Sequence, residues 1–139
     1  MNEVQDEIIK EFAPFGDNLL DKYIYLVELG KKFVPLDARY KNDQTLIRGC
    51  QLTTWFRPTF ENGIIFFHAD SSSVLVRGAI SLLIRVLSGQ KPEDVKKIDL
   101  YFIEKSGLRD IYSLIRANSL WKIENLMRQA AASYEKKYI

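Results

Sequence analysis

One cysteine and one histidine in 139 residues exclude several chemistries at once. A lone cysteine makes no internal disulfide, so nothing points to an oxidising compartment. A structural zinc site wants four Cys and His ligands, and a cysteine-held iron–sulfur cluster wants as many thiolates. Neither can be built from Cys50 and His68 within one chain. The seven glycines never come closer than eleven positions, which removes the phosphate-binding loop and the dinucleotide fingerprint. The longest apolar stretch, Val74 to Leu87, is broken by Arg77, Ser81 and Arg85, too short and too charged to cross a bilayer. Twenty Lys and Arg against eighteen Asp and Glu leave +2. The basic residues are scattered, whereas a nucleic-acid footprint wants a concentrated stripe. The acidic start, Met1 to Glu7, carries no apolar run, so no signal peptide is expected. The expectation is a cytoplasmic single domain spanning 1–139, with no nucleic-acid or membrane partner.

What the chain does hold is core material: 47% hydrophobic and 12% aromatic residues. A chain of this size typically buries about 68% of its unfolded surface, enough for a core without metal or disulfide help. Val4, Ile8, Ile9 and Phe12 share one helical face. Asp17 is placed to cap a second helix that buries Leu19, Leu20, Tyr23, Ile24 and Val27 and stops at Gly30. From Phe33 to Gly49 the periodicity is lost, and long loops in compact domains are disproportionately functional. Leu52–Arg57 and Ile64–His68 read as strands joined through Asn62-Gly63, a pair that tight hairpin turns favour. Asp70 or Ser71 then caps a helix, apolar nearly all round, that runs to about Ser88 and closes at Gly89. Pro92-Glu93-Asp94 opens another, Leu100–Ile103 is a short apolar piece, and a final helix begins near Asn118 with Leu120, Ile123, Leu126, Met127 and Ala130 inward. Two strands among helices predict an α+β fold, a small antiparallel sheet backed by helices.

His68 stands beside Asp70 and three serines. A Ser-His-Asp triad converges in space from separate elements, while these residues are consecutive and suit helix capping. Cys50 is the stronger candidate. It follows Gly49, which lets the backbone turn sharply. Arg48, two residues away, favours a thiolate below the free value of about 8.5.

Ile47-Arg48-Gly49-Cys50-Gln51, with Trp55 five residues beyond the cysteine, resembles the SufE family of sulfur-acceptor proteins. Tyr23-Ile24-Tyr25-Leu26-Val27-Glu28-Leu29-Gly30 is similar to the family's Tyr-x-Tyr-Leu-x-Glu-Leu-Gly helix. Pro35-Leu36, Tyr40 and Lys41 match the loop that follows. His68-Ala69-Asp70-Ser71 and Val76-Arg77-Gly78 match its Ala-Asp-Ser-x-x-x-x-Val-Arg-Gly segment, and Ser88-Gly89 and Pro92-Glu93 follow in register. The resemblance implies the α+β fold shared with U-type scaffold proteins. It implies that Cys50 takes sulfur, as a persulfide, from a pyridoxal-phosphate cysteine desulfurase of the SufS kind and passes it toward an iron–sulfur scaffold complex. Arg48, Gly49, Gln51 and Asp70 are then the supports of the acceptor loop. Arg116, in Ser113-Leu114-Ile115-Arg116, matches a family arginine that stabilises a thiolate or touches the desulfurase. No resident cofactor is implied: the persulfide on Cys50 is transient, and the pyridoxal phosphate belongs to the partner.

The chain departs from the family pattern in four places. Leu52-Thr53-Thr54-Trp55 replaces Ser-x-Val-Trp, Ser72 stands where a carboxylate is usual, Ser119 replaces a glycine, and the proline before Arg116 is absent. These changes leave open a divergent module that docks on a desulfurase and modulates it without carrying sulfur. They also leave open which desulfurase and downstream acceptor are used. A monomer or weak homodimer is expected.

Overall fold

A computed structural model describes residues 1–48, 52–114 and 118–138. Among them are seven α-helices and one two-stranded antiparallel sheet, ordered α1 (Asn2–Phe12), α2 (Leu19–Lys32), β1 (Thr54–Glu61), β2 (Ile64–Ser71), α3 (Val74–Leu87), α4 (Pro92–Lys97), α5 (Phe102–Lys105), α6 (Leu108–Leu114) and α7 (Asn118–Tyr138). The α+β expectation holds.

The hairpin forms for the reason its turn predicts. Asn62 and Gly63 both take positive φ, 53° and 80°, the left-handed pair whose twist matches that of flanking strands. Both strands run further than their apolar cores suggested. β1 reaches Glu61 through Pro58, opposite Phe67, and β2 continues to Ser71, opposite Thr54. Proline tolerates a position where its missing N–H is not needed by the ladder.

One face of the hairpin packs on α3, whose Val76, Ala79, Ile80, Leu83, Val86 and Leu87 are fully buried or nearly so. Phe56 and Phe67 stack at 5.8 Å between them. Phe12, Leu26, Phe102, Leu108, Ile111, Ile123 and Met127 complete the core from the surrounding helices. Each such side chain contributes roughly 1.5–3 kcal/mol by leaving water. Helix α3 is therefore the central element that its all-round apolar sequence predicted.

Four details depart from the sequence reading. Asn18, not Asp17, caps α2, accepting from Asp21 N at 3.1 Å. Ser73, rather than Asp70 or Ser71, caps α3, accepting from Val76 N at 3.3 Å. The face of α2 is the largest correction. Leu19, Leu20, Tyr23 and Ile24 are exposed, Leu20 to 67% and Ile24 to 50%, and the helix buries Lys22, Leu26 and Gly30 instead. Gly30 does not stop the helix, which runs on to Lys32. It lies at the crossing with α3, where backbone contact rather than side-chain bulk selects the buried face.

Candidate functional site

The expected acceptor, Cys50, lies outside the described residues, as do its neighbours Gly49 and Gln51 and the expected partner-contacting Arg116. The described structure sets the two ends of the segment that carries the cysteine. On the N-terminal side, Thr45 to Ile47 pairs with the start of β1. Leu46 bridges Trp55 in antiparallel fashion, Ile47 N donates to Thr54 O at 2.8 Å, and Phe56 N donates to Thr45 O at 2.8 Å. On the C-terminal side, Thr53 O accepts from Ser72 N at 2.9 Å. Chain leaving the sheet at Ile47 thus returns to it at Thr54, which pins the neck of the segment to a rigid hairpin. Sites supported by strands are held more closely than sites on free loops.

The loop leading to that neck is pinned as well. Asp37 caps a short 3-10 turn, Ala38–Tyr40, and Leu36 N donates to Ala69 O at 3.1 Å. Asn42 then closes a turn, its Oδ1 accepting from Gln44 N at 2.9 Å. Thr45 Oγ1 donates to Tyr40 O at 2.6 Å. A stretch that lacks periodicity is thereby fixed by local side-chain-to-backbone bonds, the usual use of Asn, Asp and Thr in loops.

Asp70 is the electrostatic centre of this support. Its side chain is 8% exposed, with Lys41 Nζ at 2.6 Å and Arg77 Nε at 3.5 Å. Its Oδ1 accepts from Ser71 N at 2.8 Å. Lys41 Nζ also stands 4.8 Å above the centre of the Trp55 ring, and Trp55 is the residue directly opposite Asp70 in the ladder. One carboxylate therefore joins the loop, both strands and α3. A buried charge persists only when paired and hydrogen-bonded in this manner. Sequence reasoning placed Asp70 among the supports of the loop but assigned its side chain to helix capping. Its real partners, 29 residues before it and seven after, share no local pattern from which they could be read.

Arg48 is exposed and pairs loosely with Asp43 at 3.9 Å, so a solvated cation stands two residues before Cys50 in the chain. Its carbonyl accepts from Lys122 Nζ of α7 at 3.1 Å. Lys122 was not anticipated: a lysine on a long amphipathic helix carries no signal of what it faces. Arg48 and Lys122 line one end of a cleft of about 390 Å³ between residues 44–48 and α7, whose other walls include Phe56, Asn125, Leu126 and Gln129. The large apolar side chains that follow the cysteine have structural duties. Phe56 belongs to the core, Leu52 packs against it, and Trp55 is held by Lys41.

His68 is exposed on β2 opposite Arg57. Partial burial, with the Arg57 charge as a second cause, holds its imidazole below its ordinary value, so it stays neutral at physiological pH. Among the described residues no cluster of three or more His, Cys, Asp or Glu is arranged to hold a metal. No helix among them is long and apolar enough to cross a membrane.

Comparisons with known proteins give a family match, related sequences and a shared fold. The SufE family, described as an Fe-S metabolism associated domain, matches residues 6–131. SufE-like protein 1, chloroplastic/mitochondrial, of Arabidopsis thaliana is 34% identical over 132 residues, covering 94% of this chain. The chain spans 35% of that plant protein's length. The cysteine desulfuration protein SufE of Wigglesworthia glossinidia brevipalpis is 29% identical, across 88% of this chain and 86% of its own. A solution structure of a hypothetical protein from Thermus thermophilus shares the fold, with a TM-score of 0.73 over 96% of both chains at 17% identity.

Proposed function

The chain belongs to the SufE family, and from that premise we propose that it accepts sulfur at Cys50 from the persulfide of a cysteine desulfurase. It then hands that sulfur toward iron–sulfur cluster assembly. A role in Fe-S sulfur metabolism follows from the family match and from relatives named cysteine desulfuration protein. The observation that carries the finer reading is the pinned neck. The Ile47–Thr54 hydrogen bond ties both ends of the Cys50 segment to the hairpin, and the cations Arg48 and Lys122 lie at its N-terminal end.

The chemistry is thiol exchange. The Cys50 thiolate attacks the terminal sulfur of the donor's persulfide. A new S–S bond forms on Cys50, the donor's S–S bond breaks, and the donor's cysteine leaves as thiolate with no net oxidation. The rate depends on thiolate fraction and access. Arg48 raises the first by favouring the anion. The product persulfide is a reversible cap, which suits a carrier that must surrender its sulfur. No resident cofactor is needed, because the pyridoxal phosphate that generates the persulfide belongs to the desulfurase. Draining sulfur from that enzyme frees its cysteine for the next turnover, so the chain is an activator in the cytoplasm. A SufS-like desulfurase on one side and an Fe-S scaffold complex on the other are its partners, and Arg116 is a contact for the desulfurase.

Intact-protein mass spectrometry tests this. The protein is mixed with a desulfurase and free cysteine and measured before any reductant is added. Species heavier by whole sulfur atoms, reversed by thiol and absent from Cys50→Ser, are expected. An unchanged mass with several desulfurases sinks the transfer reading. If Cys50→Ser still stimulates the desulfurase, the chain modulates its partner without carrying sulfur.

A further inference from the structure

A cavity of about 450 Å³ lies between α3, α5, α6 and α7. Leu120, Glu124 and Arg128, spaced four apart along one face of α7, line it. Lys122, Asn125 and Gln129 look from the opposite face toward the cleft beside residues 44–48, so the cavity is separate from the Cys50 segment. Its walls are apolar at Leu83, Leu100, Ile103 and Leu120. That size and lining suit a small-molecule site, in which a few placed polar groups fix the ligand.

Two such groups are present, and the fold leaves both without a partner. Tyr112 lines the cavity and is 7% exposed, and among the described residues no group bonds its buried hydroxyl. Phenylalanine would fill the same place without the cost of an unpaired buried polar group, and native structures keep few such groups. Burial, with the Glu124 charge as a second cause, holds the phenol above its ordinary 10. It is therefore a neutral hydroxyl within reach of that carboxylate's field.

Glu124 is half-buried and makes no ion pair among the described residues. Arg128, one turn further along α7, stands at the spacing that pairs charges on a helix. Its guanidinium instead closes the end of α4, Nη1 donating to the Val95 and Lys96 carbonyls at 3.1 and 3.2 Å and Nη2 to that of Ile98 at 2.9 Å. Arg109, the other cation on the lining, stands 3.6 Å from Glu104. The exposed Asp99 adds one more carboxylate.

One chemical group satisfies both orphans. A carboxylate only accepts, a hydroxyl oxygen also accepts, and an ammonium brings three N–H donors. An anion in the same place would meet Glu124. We propose that this cavity binds a small primary amine with an apolar body, its ammonium held between the Glu124 carboxylate and the Tyr112 hydroxyl. The hydrocarbon then lies against Leu83, Ile103 and Leu120. This site goes beyond sulfur transfer and uses none of its residues.

Benzylamine is the probe, titrated into the isotope-labelled full chain at neutral pH and fixed ionic strength while amide NMR shifts are followed. Saturable shifts are expected at Ile103, Leu120 and Glu124, with a dissociation constant of about 1 mM, a strength within reach of so small a ligand. Benzyl alcohol, alike in shape but uncharged, should bind roughly ten-fold more weakly, because it forms no charge-assisted bond. Glu124→Gln should weaken benzylamine by a similar factor and leave benzyl alcohol unchanged. Tyr112→Phe should weaken benzylamine about three-fold. Its melting temperature should hold or rise, since the hydroxyl has no partner to lose. No saturable shift up to about 20 mM overturns the proposal. So does an alcohol that binds as tightly as the amine, a comparison that needs no variant, or a Glu124→Gln protein that binds unchanged. A Tyr112→Phe protein with a lower melt overturns it too, by giving the hydroxyl a partner within the fold.

Discussion

Gly30 of α2 and Gly78 of α3 meet where the two helices cross, each lying against a backbone carbonyl of the other helix. A methyl group built on Gly30 would overlap the Val74 carbonyl oxygen, and one on Gly78 would overlap that of Leu26. The obstacle in both cases is backbone, which cannot rotate aside as a side chain can. The two glycines end separate sequence motifs, Glu28-Leu29-Gly30 and Val76-Arg77-Gly78, and their common purpose appears only at this crossing.

Gly30→Ala or Gly78→Ala must therefore push the helices apart. The expected cost is about 3 kcal/mol, the upper part of the range for overpacking a core. In a chain of this length that lowers the melting temperature by roughly 10 °C. Thermal denaturation followed by circular dichroism checks it. A melt within about 2 °C of the wild type would show that the crossing relaxes freely.

Asp70→Asn keeps the shape and the acceptor for Ser71 N but removes the charge that Lys41 and Arg77 share. Leaving cations beside a neutral, buried amide should destabilise the protein by about 2–3 kcal/mol, just below the cost of deleting one partner of a fully buried pair. The loss should be felt locally too. Hydrogen exchange should quicken at Leu36 and Ile47, whose amides bond the sheet, more than at the α3 core. Equal quickening everywhere would show that Asp70 serves global stability alone.

The acid limb of stability should depend on Arg85. Its Nη1 donates to Glu11 Oε1 at 3.1 Å, and the Tyr25 hydroxyl donates to the same oxygen. The Arg85 hydrogen bond, outweighing the opposing effect of burial, holds the Glu11 carboxyl below its ordinary 4.5. A carboxyl whose folded value is lowered adds stability above its unfolded value and loses it as pH falls through the folded one. Arg85→Met should lower stability near neutrality and flatten its decline between about pH 5 and pH 3. Urea unfolding across that range measures this, and parallel curves for the two proteins would exclude the linkage.

Arg48→Glu reverses a charge two residues from Cys50. A nearby cation favours the thiolate and an anion disfavours it. Across solvent the interaction is small, so alkylation of Cys50 by iodoacetamide at pH 7 should slow only about two- to three-fold. The difference should vanish at high pH, where both proteins are fully ionised. Equal rates at pH 7 would show that Arg48 does not tune the thiol.

Legibility in the sequence followed the range of each interaction. The hairpin could be read because Asn62 and Gly63 specify their turn locally, and α3 because an all-round apolar helix has only the interior to occupy. The face of α2 could not be read. Its apolar residues marked Leu20 and Ile24 for the core, yet α3 approaches on the glycine side, where the closest backbone contact is available. Asp70 was recognisable as a support, but not through Lys41, Trp55 and Arg77, which reach it from three different elements.

By itself the sequence determined the class of fold, the single candidate nucleophile Cys50 and the family to which the chain belongs. These rest on composition, local turns and short motifs, which survive without knowledge of what packs on what. Only the tertiary structure decided that loop, hairpin and α3 converge on Asp70, that Lys122 reaches the Arg48 carbonyl, and that α2 presents an apolar stripe to solvent. Each depends on distances between residues far apart in the chain, and those are set by how helices and sheet fill space together.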